Sequence, residues 1–152
     1  MRMEQYDPEM AARVWQRVTG NAPPPSASPD LQALIEEELL DAAAYLYLSR
    51  FFGSPYNRIL RQMHQQEQSH AACLKGIYRM TTGKRCTSRP PKPLREKPSL
   101  TLQRCYDRES RCATRYTASA SDPRYGHIFA RMALQEQEHC KVLLELLGQT
   151  AK

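Results

Sequence analysis

Two tetrapeptides of this 152-residue chain pair a carboxylate with an imidazole at the same spacing: Glu67-Gln68-Ser69-His70 and Glu136-Gln137-Glu138-His139. On a helix, residues three apart share one face. Each tetrapeptide can therefore offer an oxygen and a nitrogen to a single metal ion. The chain has eleven glutamates, so a given histidine follows one at this spacing only about 7% of the time by chance. Here two of the four histidines do. Two more glutamates extend the pattern, because Glu38 is followed seven residues later by Tyr45 and Glu109 seven residues later by Tyr116. Glu38 and Glu67 are 29 residues apart, Glu109 and Glu136 27 apart, so the set Glu, Tyr, Glu, His occurs twice in the same order.

The elements that must carry these residues are delimited by proline. Prolines at 8, 23–25, 29, 55, 90, 91, 93, 98 and 123 leave long proline-free runs, and each run has helical periodicity. The first stripe is Leu31, Leu34, Ile35, Glu38, Ala42, Tyr45, Leu48 and Phe52; the second is Ile59, Met63, Glu67, His70, Leu74 and Ile77. The third is Leu102, Cys105, Glu109, Cys112 and Tyr116; the fourth is Ile128, Met132, Glu136, His139, Leu143 and Leu146. Ser28-Pro29, Ser54-Pro55 and Asp122-Pro123 each place a capping side chain before a proline suited to a first helical turn. Gly53, Gly83 and Gly148 stand where a left-handed closing residue is wanted. Helices are expected over 29–52, 55–80, 100–118 and 123–147. Short links join the first to the second and the third to the fourth, whereas Thr81–Ser99, with four prolines, can run the length of the molecule. The expected fold is all-α, a four-helix bundle of two antiparallel hairpins joined by a long crossover. Upstream, Asp7-Pro8 can start a short helix to Val18 carrying Trp15. The chain divides into 1–28, an N-terminal helix and linker, and 29–152, the bundle.

Every stripe has an acid at its centre and none has a lysine or arginine to pair with it. Burying four such carboxylates without cations is strongly unfavourable. Two divalent cations would neutralise them, and an oxygen-and-imidazole shell suits iron or manganese better than structural zinc. On these residues the chain resembles the ferritin-like superfamily and is most similar, in spacing, to its rubrerythrin branch, over about residues 31–147. The resemblance implies the ferritin-like form of the bundle and a di-iron site. In that site Glu67 and Glu136 bridge, Glu38 and Glu109 are terminal ligands, and His70 and His139 serve one metal each. The cofactor expected is two iron ions, with manganese possible. Rubrerythrins typically add a rubredoxin domain and a further carboxylate on the third helix. This chain has no Cys-x-x-Cys and has Cys112 three residues after Glu109, so four glutamates and two histidines are closer to the ferritin or bacterioferritin centre.

The activity this implies is oxidation of Fe(II) by hydrogen peroxide or dioxygen, in peroxide detoxification or as a ferroxidase. Tyr45 and Tyr116 would be donors to ligand carboxylates or one-electron relays. The alternatives are iron storage or metal buffering, and a di-iron hydroxylase. A homodimer or larger homo-oligomer and a separate electron-donor protein are the expected partners.

Composition sets the outer limits. The net charge of +6 sits in residues 79–97, which hold seven basic residues and Glu96; the remainder balances at fifteen of each sign. A charged connection of this kind is not a nucleic-acid footprint. No apolar run approaches a membrane span, and Met1–Met10, with Glu4, Asp7 and Glu9, does not read as a secretory signal. Five cysteines, at 73, 86, 105, 112 and 140, argue against a disulfide framework and suit a cytoplasmic protein. They are expected to be small buried apolar residues. Asp41 is expected beside the site but not as a ligand, His64 and His127 outside it, and Glu36, Glu37 and Glu138 on a solvated face.

Overall fold

The computed structural model of the chain describes residues 30–89 and 91–150. The expected helix at Asp7–Val18 and the Ser28-Pro29 cap lie outside the described residues. Four helices follow in order: α1 (Leu31–Leu48), α2 (Tyr56–Thr82), α3 (Pro98–Ser119) and α4 (Gly126–Thr150), with no strand among the described residues. None of these helices is long and apolar enough to cross a membrane.

Packing follows the connection lengths. α1 lies along α2, α3 lies along α4, and α1 also meets α3. Two apolar layers, each built from all four helices, fix the directions. One joins Leu34 and Ile35 of α1, Leu74 and Ile77 of α2, Tyr116 of α3, and Phe129 and Met132 of α4. The other joins Tyr45 and Leu48, Leu60 and Met63, Leu102 and Cys105, and Leu143 and Leu146. The first layer takes the start of α1 and α4 but the end of α2 and α3; the second takes the opposite ends. Each hairpin is therefore antiparallel, and residues 83–97 must travel from one layer to the other. They do so closely enough for Cys86 to pack on the first layer and Leu94 on the second. The Tyr47 hydroxyl donates to the Glu96 carbonyl at 2.6 Å, which ties the crossover to α1.

Each fully buried Leu or Phe in these layers contributes roughly 1.5–3 kcal/mol. That apolar burial offsets what lies between the layers, a tier of buried Glu38, Asp41, Glu67, His70, Glu109, Glu136 and His139.

The element ends differ from the local signals in identifiable ways. The α1 cap is Asp30, whose carboxylate accepts from the Ala33 N–H at 3.1 Å. α1 stops at Leu48 because Arg50 and Phe51 bond back three residues, to Tyr47 and Leu48, and tighten the chain out of the helix. Phe52 then packs on the core from outside it. Ser54 does not cap α2; its hydroxyl accepts from the Arg58 guanidinium at 3.1 Å. α3 begins two residues earlier than expected because Pro98 sits in its first turn. Asp122 does receive the Arg124 and Tyr125 N–H groups, at 2.9 and 2.8 Å, but regular helix starts only at Gly126. A Cβ at Gly126 would lie 2.2 Å from the Ala120 carbonyl oxygen, so the α3–α4 turn closes this tightly only around glycine. Gly83 closes α2 with φ 72°, as its position suggests, whereas Gly148 lies inside α4. In the stripes, Leu60 and Phe129 are fully buried, and their neighbours Ile59 and Ile128 only half-buried.

Candidate metal centre

The polar tier sits at mid-height, where one turn of each helix faces the axis. α1 supplies Glu38, α2 Glu67 and His70, α3 Glu109, and α4 Glu136 and His139. The structure brings all six together. Glu38, Glu67, His70 and Glu136 form one group, and Glu67, Glu109, Glu136 and His139 a second, each with its ligand atoms within 4.8 Å of one another. Glu67 and Glu136 belong to both groups, so the two lie side by side.

The donor atoms fit divalent cations. Both Glu67 oxygens, Glu109 Oε2 and His139 Nδ1 are buried with no hydrogen-bond partner, which is costly unless something positive meets them. His139 Nδ1 approaches Glu67 Oε1 to 2.7 Å and Glu109 Oε1 to 3.5 Å without hydrogen-bond directionality, so these atoms face a common space. His70 Nδ1 lies 2.9 Å from Glu136 Oε1 and 3.3 Å from Glu38 Oε2.

Protons partly stand in for cations here. Burial, then the neighbouring Glu38 and Glu136, pushes the Glu67 carboxyl well above the usual range. Burial drives His70 down, but its bonds to Glu136 and Glu38 outweigh that and push it up to about 10. Burial also raises Glu136, yet the two imidazoles facing it hold it below its ordinary value. His70 is thus an internal cation, and a metal taking its Nδ1 must displace a proton.

Glu38 and Glu109 are held from the opposite hairpin. The Tyr116 hydroxyl donates to Glu38 Oε1 and the Tyr45 hydroxyl to Glu109 Oε1, both closely. Burial, followed by nearby acids, pushes both phenols up, so they remain neutral donors.

The remaining residues follow expectation in part. Asp41 lies beside the site and outside both ligand groups, as expected; it is 2% exposed and accepts from Arg108 Nε at 2.8 Å. A basic residue therefore does reach the polar tier, although Arg108 meets Asp41 and not the four glutamates. Glu37 is half-buried, accepting from Cys112 Sγ at 3.0 Å and from Arg115 at 3.4 Å, whereas Glu36 and Glu138 are exposed. All five cysteines are free, only Cys105 and Cys112 are fully buried, and burial keeps both of these as thiols. His127 is exposed, and His64 lies 2.6 Å from the Ala42 carbonyl oxygen.

Sequence reasoning missed Gln66 and Gln135. Gln66 Oε1 accepts from His139 Nε2 at 2.7 Å, and Gln135 Oε1 from His70 Nε2. The signal was available: both tetrapeptides belong to the longer repeat Gln-Glu-Gln-x-His. Beside them a solvent-open cavity of about 330 Å³ is lined by Gln62, Gln65, Gln66, Ser69, His70 and Gln135. It gives small molecules a polar approach to the His70 side of the centre.

No family model, curated protein or solved structure matches the chain.

Proposed function

We propose that the chain is a rubrerythrin-like di-iron oxidoreductase with the ferritin-like form of the four-helix bundle. In this reading Glu67 and Glu136 would be shared by two metals, Glu38 and Glu109 would each serve one, and His70 and His139 would hold one metal each. The observation that carries it is the pair of buried ligand groups sharing Glu67 and Glu136. A site for one cation would not need two groups, and a structural zinc site would not need four carboxylates.

When bound, the metal pair supplies the two electrons that, with two protons, reduce one hydrogen peroxide to two waters. The chain's own residues set the conditions. Tyr116 and Tyr45 fix the orientation of Glu38 and Glu109 by donating to one oxygen of each, leaving the other oxygen for metal. The apolar layers on either side exclude bulk water from the carboxylates. The amide-lined cavity admits a small polar oxidant on the His70 side. Its lining side chains are amides, a hydroxyl and an imidazole, which favours a small polar oxidant over a hydrocarbon substrate. A separate electron-donor protein renews the reduced state, and the chain works as a homodimer or larger homo-oligomer.

Iron analysis should give two ions per chain. Stopped-flow mixing of the diferrous protein should show reaction with peroxide at least tenfold faster than with air-saturated buffer, a barrier difference of about 1.4 kcal/mol. If dioxygen reacts as fast, the protein is a ferroxidase.

A further inference from the structure

Each histidine of the centre presents two nitrogens to different surroundings. Nδ1 faces the carboxylates, while Nε2 faces an amide on the opposite hairpin: His139 of α4 meets Gln66 of α2, and His70 of α2 meets Gln135 of α4. The two amides occupy the same place in the repeat, one residue before Glu67 and one before Glu136. One turn of helix thus sends a carboxylate into the centre and an amide across to the partner helix's imidazole.

We propose that Gln66 and Gln135 are reciprocal positioning residues of the dinuclear centre, an inference that rests on the reading given above. An amide oxygen can only accept, so Nε2 must keep its proton, and a neutral imidazole then has its lone pair on Nδ1. The ring that is tied in this way aims that lone pair at the metal. Without its tie the His70 ring faces a wet space, because His70 and Gln135 line the open cavity, and Gln66, which ties His139, lines it too. Nε2 would then donate to water and the ring could turn. The two ties also span the α2–α4 seam, where the backbones do not pack closely.

Zinc is a suitable diamagnetic probe. Protein labelled with ¹⁵N-histidine, metal-free and zinc-loaded, would be compared as wild type, Gln66→Leu, Gln135→Leu, Gln66→Glu and Gln135→Glu. Affinity is read by competition with a chromophoric chelator, and the protonated nitrogen by ¹⁵N spectra. Each leucine variant should weaken one of the two zinc sites by about 10–100-fold and spare the other. Its spectrum should lose the slowly exchanging Nε2 proton of one histidine, His139 for Gln66→Leu and His70 for Gln135→Leu. The glutamate variants, which still accept, should restore that proton and hold affinity within about threefold of wild type or tighten it, an outcome a space-filling role would not produce. Leucine variants with wild-type affinity and unchanged imidazole spectra would overturn the proposal. If wild type takes up no zinc while its metal-free Nε2 protons are still protected, the ties stand and the dinuclear reading fails instead.

Discussion

The two hairpins carry the same set of glutamate, tyrosine and histidine at nearly the same spacing, yet they diverge three residues after Glu38 and Glu109. Glu38 is followed at that distance by Asp41, Glu109 by Cys112. Asp41 reaches across to the residue before Glu109, and Cys112 to the residue before Glu38. Asp41 meets Arg108 at 2.8 Å, and Cys112 meets Glu37 at 3.0 Å. The geometry is repeated and the chemistry is not. One side is an ion pair whose acid is still pushed up to about 7 by burial despite Arg108. The other is a thiol donating to a carboxylate that Arg115 also approaches. The twofold pattern is thus held at the buried glutamates and histidines, where the two groups share Glu67 and Glu136, and relaxes one layer out, where each pair need only satisfy its own polar atoms.

The largest expected effect erases the distinction between the halves. Glu67 serves both ligand groups, so Glu67→Ala should lose most of the metal, whereas His70→Ala should lose about half, by elemental analysis per chain. Equal losses from the two variants would mean that the groups are not two sites. Metal removal tests the tier as a whole: at free metal one hundred times Kd each site adds about 2.7 kcal/mol, so two add about 5.4 kcal/mol. Holo protein should therefore melt roughly 10–20 °C above apo protein in calorimetry.

The asymmetric supports should respond unequally. Arg108→Ala strands the buried Asp41 and should cost about 2–4 kcal/mol in urea unfolding of apo protein, less than a fully buried pair because Arg108 stays partly exposed. The pH dependence sharpens the difference. Asp41 holds its proton to about 7 when folded against 3.8 ordinarily, so the folded form binds more protons between these values. Its contribution makes apo stability fall as pH rises from about 4 to about 7, with a slope of at most ~1.4 kcal/mol per unit, and then level off. Asp41→Asn should remove that part of the slope; Cys112→Ala should leave it. The smallest effect belongs to Cys112→Ala itself, about 1 kcal/mol in the same unfolding series from one lost hydrogen bond and a small void.

Much of the centre was written locally. Helical periodicity alone puts Glu67 with His70 and Glu136 with His139, because three residues make nearly one turn and neither spacing depends on a partner. The connection lengths were equally legible, since a short link forces antiparallel neighbours and residues 83–97 can span the molecule. The charge argument needed only the stripes, because acids at the centre of apolar faces must meet cations or protons. What only the tertiary structure decided were contacts between residues far apart in the chain: Tyr45 with Glu109, Tyr116 with Glu38, the two glutamines with the opposite histidines, and Asp41 with Arg108, 67 positions away. Arg108 stands one residue off the third stripe, and its length lets it bend back to a buried acid. The helix ends were decided the same way. Asp30 caps α1, and Gly148 continues α4, because a cap is set by where the packed helix begins and ends. Periodicity assigns each residue a face; which side chain waits across that face depends on how the helices are brought together.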